Sequence, residues 1–331
     1  MKTPAPATNS SASSTSAAVA EPRDDALLDC LVIGAGPAGL TAATYLARYR
    51  RDIAVVDGGK SRARWIPTSH NCPGFPFGVG GEEILARYRR QAAQFGVEVI
   101  DGCIARLQCS GEGDARVFTA TAADGRHWRA RNIILATGVI DNMPAMDGLE
   151  QGIAGHAVRL CAICDGYEAS DAAIAVLAPV DEAVRHAAFL RTFSRSVTAI
   201  ASDDTPPSTE CAALAADAGI VLLPPPDAMC CDDDGCVVTC GEQAHRFDTL
   251  YPVLGSQAQS QLATALGALG DDNHELAIDA DAQTTVAGLY AIGDVASTLN
   301  QISVGVGQAA LAATHVHNRL PRNLRETQDG G

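Results

Sequence analysis

The segment with the plainest chemistry is Cys161-Ala162-Ile163-Cys164-Asp165-Gly166, two cysteines three residues apart with an acid directly after them. That spacing lets two thiols close a disulfide, and a helix start beneath them would lower a thiol pKa. Asp165 is placed to pass a proton to a departing thiolate. On spacing alone, half of a zinc site, an inert buried pair and a plain helix start remain open. Zinc needs two further ligands. The other cluster, Cys230, Cys231, Cys236 and Cys240, lies across an expected hairpin, where cysteines serve as small hydrophobes. No metal is expected.

A second set of residues reads as a cofactor site. Gly34-Ala35-Gly36-Pro37-Ala38-Gly39 follows a short apolar strand and opens a helix. Gly34 permits the tight turn, Gly36 lets a pyrophosphate approach the backbone, and Gly39 allows helix and strand to pack closely. The helix start offers N–H groups and a partial positive charge to phosphates. Asp57, at the end of the next strand, can accept hydrogen bonds from a ribose. Far along the chain, Gly293-Asp294 closes another buried strand, and Asn300-Gln301-Ile302 stands at the mouth of a helix. Residues at both ends suit a long cofactor, FAD rather than NAD. Asp294 would bind its ribityl chain, and N–H groups near Gln301 and Ile302 would face the flavin N1–C2=O edge.

The elements that must position these residues follow from apolar periodicity. A strand over 30–33, a helix over 40–50 and a strand over 53–57 make one β-α-β unit, the start of a parallel sheet covered by helices. A helix over 82–95, a strand over 97–100, an antiparallel meander over 104–131 and a buried strand over 133–138 follow. A second β-α-β pattern uses 172–177, 182–193 and 197–200. Residues 202–218 are polar and Pro-rich, 229–248 read as a hairpin turning at Asp234-Gly235, and a last helix spans 308–319. The expected fold is α/β, with two Rossmann-like three-layer domains. An FAD-binding domain, 27–140 and 249–331, is interrupted by a smaller NAD(P)-type domain, 141–248, that carries the cysteine pair. Residues 1–26, rich in Ala and Ser, are expected to be a disordered tail rather than a signal peptide.

Composition narrows the partners. The 331-residue chain holds 24 Lys plus Arg against 39 Asp plus Glu, a net charge of −15 that argues against nucleic acid and anionic membrane surfaces. Its apolar runs are too short for a membrane span. Eleven cysteines, an odd count spread over a long chain, point to a reducing, cytoplasmic setting rather than a disulfide framework.

Together these motifs resemble the low-molecular-weight thioredoxin reductase family, FAD-dependent pyridine nucleotide-disulfide oxidoreductases of class II. The resemblance covers about residues 28–320. It rests on the glycine loop, Asn71-Cys72-Pro73-Gly74, Ala136-Thr137-Gly138, the C-x-x-C-D-G segment and Gly293-Asp294-Val295 with Gln301. It implies that Cys164 faces the flavin, that Cys161 attacks a substrate disulfide, and that Asp165 is the acid. It further implies FAD contacts from Asp57, Asn71, Thr137, Asp294 and Gln301, and a homodimer. The partner would be a thioredoxin-like protein or a small dithiol or disulfide.

The second domain departs from the family pattern. In place of a G-x-G-x-x-A loop for NADPH, this chain has Ala178-Pro179-Val180-Asp181-Glu182-Ala183. A Cβ at the close-approach position holds a pyrophosphate off the backbone. Asp181 and Glu182 add two negative charges where phosphates would lie, each contact at ~4 Å costing roughly 1 kcal/mol in water and more where solvent is excluded. Ala201-Ser202-Asp203-Asp204 stands where a basic cluster for the 2′-phosphate is expected. NADPH is therefore expected to bind poorly. The expected function is FAD-dependent dithiol/disulfide exchange through Cys161 and Cys164. Its electrons would come from a ferredoxin-type donor in the reducing direction, or pass from a small dithiol to oxygen in the oxidising one. The alternatives are a conventional NADPH-dependent thioredoxin-disulfide reductase with a divergent loop, and a non-catalytic flavin redox sensor.

Overall fold

The structure, a computed structural model, describes residues 26–232, 234–297 and 299–325. The expected tail lies, up to residue 25, outside the described residues. β1 (Leu27–Ile33) is a central strand with both faces covered along its second half. It turns into α1 (Pro37–Arg48), which has Pro at its first position, and β2 (Ile53–Asp57) returns in parallel. Past a 3-10 turn at Arg62–Trp65, α2 (Gly81–Ala93) leads to β3 (Val99–Asp101). β4 (Ile104–Ser110), β5 (Val117–Ala122) and β6 (His127–Leu135) form the expected antiparallel meander. The buried strand expected over 133–138 is no separate element. It is the second half of β6, which pairs with β5 at its start and with β1 in parallel along its length.

β7 (Val139–Asp141) leaves this sheet, and α3 (Leu149–Ala154) and α4 (Ala162–Asp165) follow. β8 (Ala173–Ala178), α5 (Val180–Leu190) and β9 (Ser196–Ala201) form the second β-α-β unit. α6 (Thr209–Ala218) occupies part of the stretch read as merely polar. Ser208 caps it by accepting the Cys211 N–H at 3.2 Å, and a run of alanines carries the helix. Next come β10 (Val221–Leu223), β11 (Ala228–Asp232), β12 (Gly235–Cys240), β13 (Gln243–Phe247) and β14 (Thr249–Pro252). β15 (Ser256–Ala258) pairs back with β7, and α7 (Gln261–Thr264), β16 (Leu289–Ala291) and α8 (Ile302–Arg319) complete the described chain. α8 begins six residues before the expected 308, because Gly305 and Gly307 mask its apolar period.

The first sheet has the order β3-β2-β1-β6-β5-β4, with β16 also paired to β6. Alternate residues of its central strands feed two cores. Leu31, Ile33, Ile133 and Leu135 face one side; Val32 and Ile134 face the other, against Leu40 and Leu46 of α1 and Ala309 and Ala313 of α8. The second sheet, β10-β9-β8-β14, is wholly parallel and likewise covered on both faces. Thr249–Pro252 thus belong to the second sheet, not to the returning segment expected from 249.

The expected hairpin is a three-stranded sheet, β11-β12-β13. Two of its cysteines are not merely small hydrophobes: the turn sets Cys231 opposite Cys236, and the pair is disulfide-bonded. Among the described residues no helix is long and apolar enough to cross a membrane.

Gly39 decides how near α1 comes to the loop before it, since a Cβ there would stand 1.9 Å from the Gly34 carbonyl oxygen. Gly39→Ala should cost about 2 kcal/mol or more, as overpacked positions do. A lowered denaturation midpoint and loss of flavin on purification would show it; an unchanged midpoint would contradict it.

Candidate redox site

Cys161 and Cys164 are joined in a disulfide, their Cα atoms 5.2 Å apart. Joined sulfurs are not metal thiolates, which removes the half-zinc reading in this state. Cys161 is the N-cap of α4, and its Sγ accepts the Cys164 N–H at 3.2 Å. The approach to Cys161 is laced to β14: Leu250 N–H donates to Ala157 O at 2.8 Å and Arg159 N–H to Leu250 O at 2.9 Å. Gln301, the N-cap of α8, donates from Nε2 to Cys164 Sγ at 3.3 Å and to Cys161 Sγ at 3.6 Å. Its Oε1 accepts from Asn71 Nδ2 at 2.9 Å. Three remote segments therefore meet at the disulfide.

Asp165 forms an ion pair with Arg159 at 3.1 Å and accepts from the Tyr251 hydroxyl at 3.0 Å. Burial pushes its carboxyl above the usual range and outweighs both partners, which pull it down. His156 lines the same space from a left-handed backbone position, φ 65°. Burial, with Arg159 beside it, holds its imidazole below the usual histidine range. Arg159, Tyr251 and His156 went unnoticed in the sequence, where each is an isolated residue in no recurring motif.

One continuous cleft runs from the glycine loop to the cysteine pair. Every residue expected at the site lines it except Gly39: Gly34, Gly36, Pro37, Ala38, Asp57, Asn71, Ala136, Thr137, Gly138, Gly293, Asp294, Gln301 and Ile302, together with Cys161, Cys164 and Asp165. Gly39 does its work in packing instead. Asp57 also braces the loop, accepting the Ala35 N–H at 2.9 Å. Asp294 stands 3.5 Å from Arg62, which Asp141 holds through two contacts of 2.6 and 2.9 Å. Burial raises the Asp294 pKa, and Arg62 opposes the shift. Arg62 and Asp141 were also missed, each an isolated residue in no recurring motif.

One expected donor is otherwise engaged. The Gln301 N–H donates to Leu299 O at 2.8 Å, so the N–H groups left to face a ligand are those of the first turn of α8, from Ile302.

Two observations show that these residues fit FAD. At Gly36 a Cβ would meet Ser61 Oγ at 3.4 Å and nothing else within 4 Å, so the bare backbone opens on the cleft. Asn300 Oδ1, in the cleft lining, is buried without a hydrogen-bond partner among the described residues, an acceptor left for a bound donor.

The profile of the pyridine nucleotide-disulphide oxidoreductases matches residues 28–309. The chain belongs to that family. A thioredoxin reductase of Streptomyces coelicolor is 35% identical over 178 residues, a match spanning 53% of this chain and 54%, about half, of the relative. One from Listeria monocytogenes is 28% identical over 318 residues, 92% of this chain and 97% of its own. The crystal structure of the Streptococcus pyogenes thioredoxin reductase superposes with a TM-score of 0.80 at 25% identity, over 88% of this chain and 98% of that one. HlmI gives 0.82 at 27% identity, over 88% and 92%. This member of the pyridine nucleotide-disulphide oxidoreductases is thus a thioredoxin-reductase-like flavoprotein with the two-domain α/β fold expected from its sequence.

Its second strand-to-helix junction is unlike its first. Three residues, Gly34 to Gly36, join β1 to α1, whereas Pro179 alone joins β8 to α5. Asp181 in the first turn of α5 accepts the Ser208 N–H at 2.9 Å, and Arg185 pairs with Glu182 at 2.8 Å and Asp181 at 3.9 Å.

Asp165 gives a pH prediction. Its raised pKa keeps the proton to higher pH than a free aspartate would, so exchange between Cys161–Cys164 and an external dithiol should slow as pH rises through that pKa. The comparison is made after correction for the dithiol's own ionisation. Asp165→Asn should lose this limb and slow exchange by about 10²-fold, read by rapid-quench alkylation.

Proposed function

We propose that this chain is an FAD-dependent, thioredoxin-reductase-like dithiol/disulfide oxidoreductase that works without NADPH. The observation that carries the reading is the single cleft in which residues suited to a flavin lie against the Cys161–Cys164 disulfide. FAD bound there supplies two-electron exchange with the cysteine pair.

The chain's own residues do the rest. The glycine loop and the N-terminus of α1 hold the pyrophosphate, Asp57 the ribose, and Asp294 with the first turn of α8 the flavin end. Gln301, steadied by Asn71, holds the cysteine pair toward the cleft. In the reduced enzyme the Cys161 thiolate attacks one sulfur of a substrate disulfide. The other sulfur leaves, and protonated Asp165 is the proton source for it. Cys164 then attacks Cys161 in the mixed disulfide, releasing the second substrate thiol and closing Cys161–Cys164 again. Exposed Ile163 and Tyr167 beside the pair offer an apolar landing surface to the substrate.

Loss of NADPH is supported by the one-residue junction at Pro179, with buried Ala178 and Val180 in place of glycines, and by the acidic first turn of α5. An anion approaching this helix start meets Asp181 and Glu182 rather than open N–H groups. A ferredoxin-type protein is the donor this leaves in the reducing direction, and oxygen the acceptor in the oxidising one. The names of the relatives support a thioredoxin-like protein as partner, with a small dithiol or disulfide as the other candidate. A homodimer in the cytoplasm belongs to the same reading.

Anaerobic stopped-flow at the flavin band tests the proposal. NADPH and NADH should leave the FAD absorbance unchanged over seconds, while dithionite bleaches it and converts Cys161–Cys164 to thiols. Fast bleaching by NADPH would return the protein to the conventional reductases. Flavin reduction that leaves the cysteine pair joined would overturn the exchange reading.

A further inference from the structure

The Cys231–Cys236 disulfide takes no part in the chemistry above. It joins residues directly opposed in the β11–β12 ladder, with Cα atoms 4.2 Å apart. Side chains alternate faces along a strand. Cys231, Cys236 and Phe247 therefore form one row, and Cys230, Val237 and Arg246 the next row on the opposite face. The free thiol of Cys230 does not share a face with the disulfide.

The two cysteines differ in exposure. Cys236 is fully buried, whereas Cys231 lines a surface cavity of about 380 Å³ together with Gly148, Gln151, Gly155, Ala157 and Asp232. Asp232, next in the strand, turns its carboxylate to the opposite face, where Arg246 pairs with it at 2.6 and 3.0 Å, so its charge does not meet a thiol at Cys231. Reduction would also leave the buried sulfur satisfied. Cys236 Sγ lies 3.3 Å from Ala157 O, and a thiol there has its acceptor in place. The crosslink spans only five positions of a hairpin that its backbone ladder already closes, so it restricts the unfolded chain little.

We propose that Cys231–Cys236 is a second, exchangeable disulfide, opened by a low-molecular-weight thiol that enters this cavity and attacks Cys231. The thiolate RS⁻ bonds to Cys231 Sγ as the Cys231–Cys236 bond breaks. The electron pair leaves on Cys236 Sγ, which takes up the proton given up by RSH. A second thiol then attacks the R sulfur and frees Cys231. One protein disulfide and two RSH become two protein thiols and RSSR.

Glutathione is the probe, applied to the full-length FAD-loaded protein. Reduced glutathione at millimolar concentration, applied to the native protein and followed by an acid quench and alkylation in denaturant, should leave Cys231 and Cys236 alkylated in most chains, read by peptide mass mapping. With oxidised glutathione, Cys236→Ser should trap close to one glutathione per chain at Cys231. Cys231→Ser should take up at least tenfold less at Cys236, and Cys230→Ser should behave as the parent protein. The proposal fails if the pair stays joined until the chain is unfolded, or if glutathione loads both cysteines equally. It fails equally if both alkylate as free thiols before any reductant is added.

Discussion

The contact on which the site depends is that between the side chain of Gln301 and the Cys161–Cys164 sulfurs. Gln301 is fixed at the start of α8, which packs on α1 and so on the first sheet; the cysteines are fixed by α4 and by the hydrogen bonds that lace 157–159 to β14 in the second. A hydrogen bond of 3.3 Å between elements of two sheets requires both to be held within a few tenths of an ångström. The alanine-rich packing of α8 against α1, and the bare Gly39 in the first turn of α1, serve that precision. With larger side chains between the helices, the start of α8 would stand farther from the sheet.

The charges around the site are half-buried and held in pairs. Asp165 has Arg159 and Tyr251; Asp294 has Arg62, which Asp141 anchors. Removing a carboxylate from water favours its neutral form, while an adjacent guanidinium favours the charged one. At Asp165 burial wins, so its carboxyl, next in the chain to Cys164, holds a proton to higher pH than a free aspartate does. At the first turn of α5 the Ser208 N–H holds the Asp181 carboxyl below the usual range, and Asp181 and Glu182, both paired with Arg185, stand where a phosphate would need empty N–H groups.

How far the sequence could be read depended on the range of the interactions. The glycine loop, the C-x-x-C-D segment and the central strands were legible because their signals are local: a turn that needs glycine, two thiols one helical turn apart, apolar runs of strand length. Of the cleft residues, Gly34, Gly36, Asp57 and Asp294 carry such signals, whereas Asn71, Thr137 and Gly138 entered only through the family resemblance. The α6 helix was missed because its N-cap follows two prolines in a polar stretch, and the start of α8 because two glycines interrupt its period. Arg62, Asp141, Arg159 and Tyr251 carry no local signal at all.

The sequence by itself therefore determined the fold class, and it showed the first glycine loop, the C-x-x-C pair and, set against the family pattern, the departure at 178–183, each visible in residues adjacent in the chain. Tertiary structure alone decided what those residues touch. It closed the Cys231–Cys236 bond through a strand register, set Gln301 on the disulfide from more than a hundred residues away, and buried Asp165 deeply enough to raise its pKa. Register, long-range contact and desolvation are sums over neighbours brought together by folding, and no local pattern of residue types contains them.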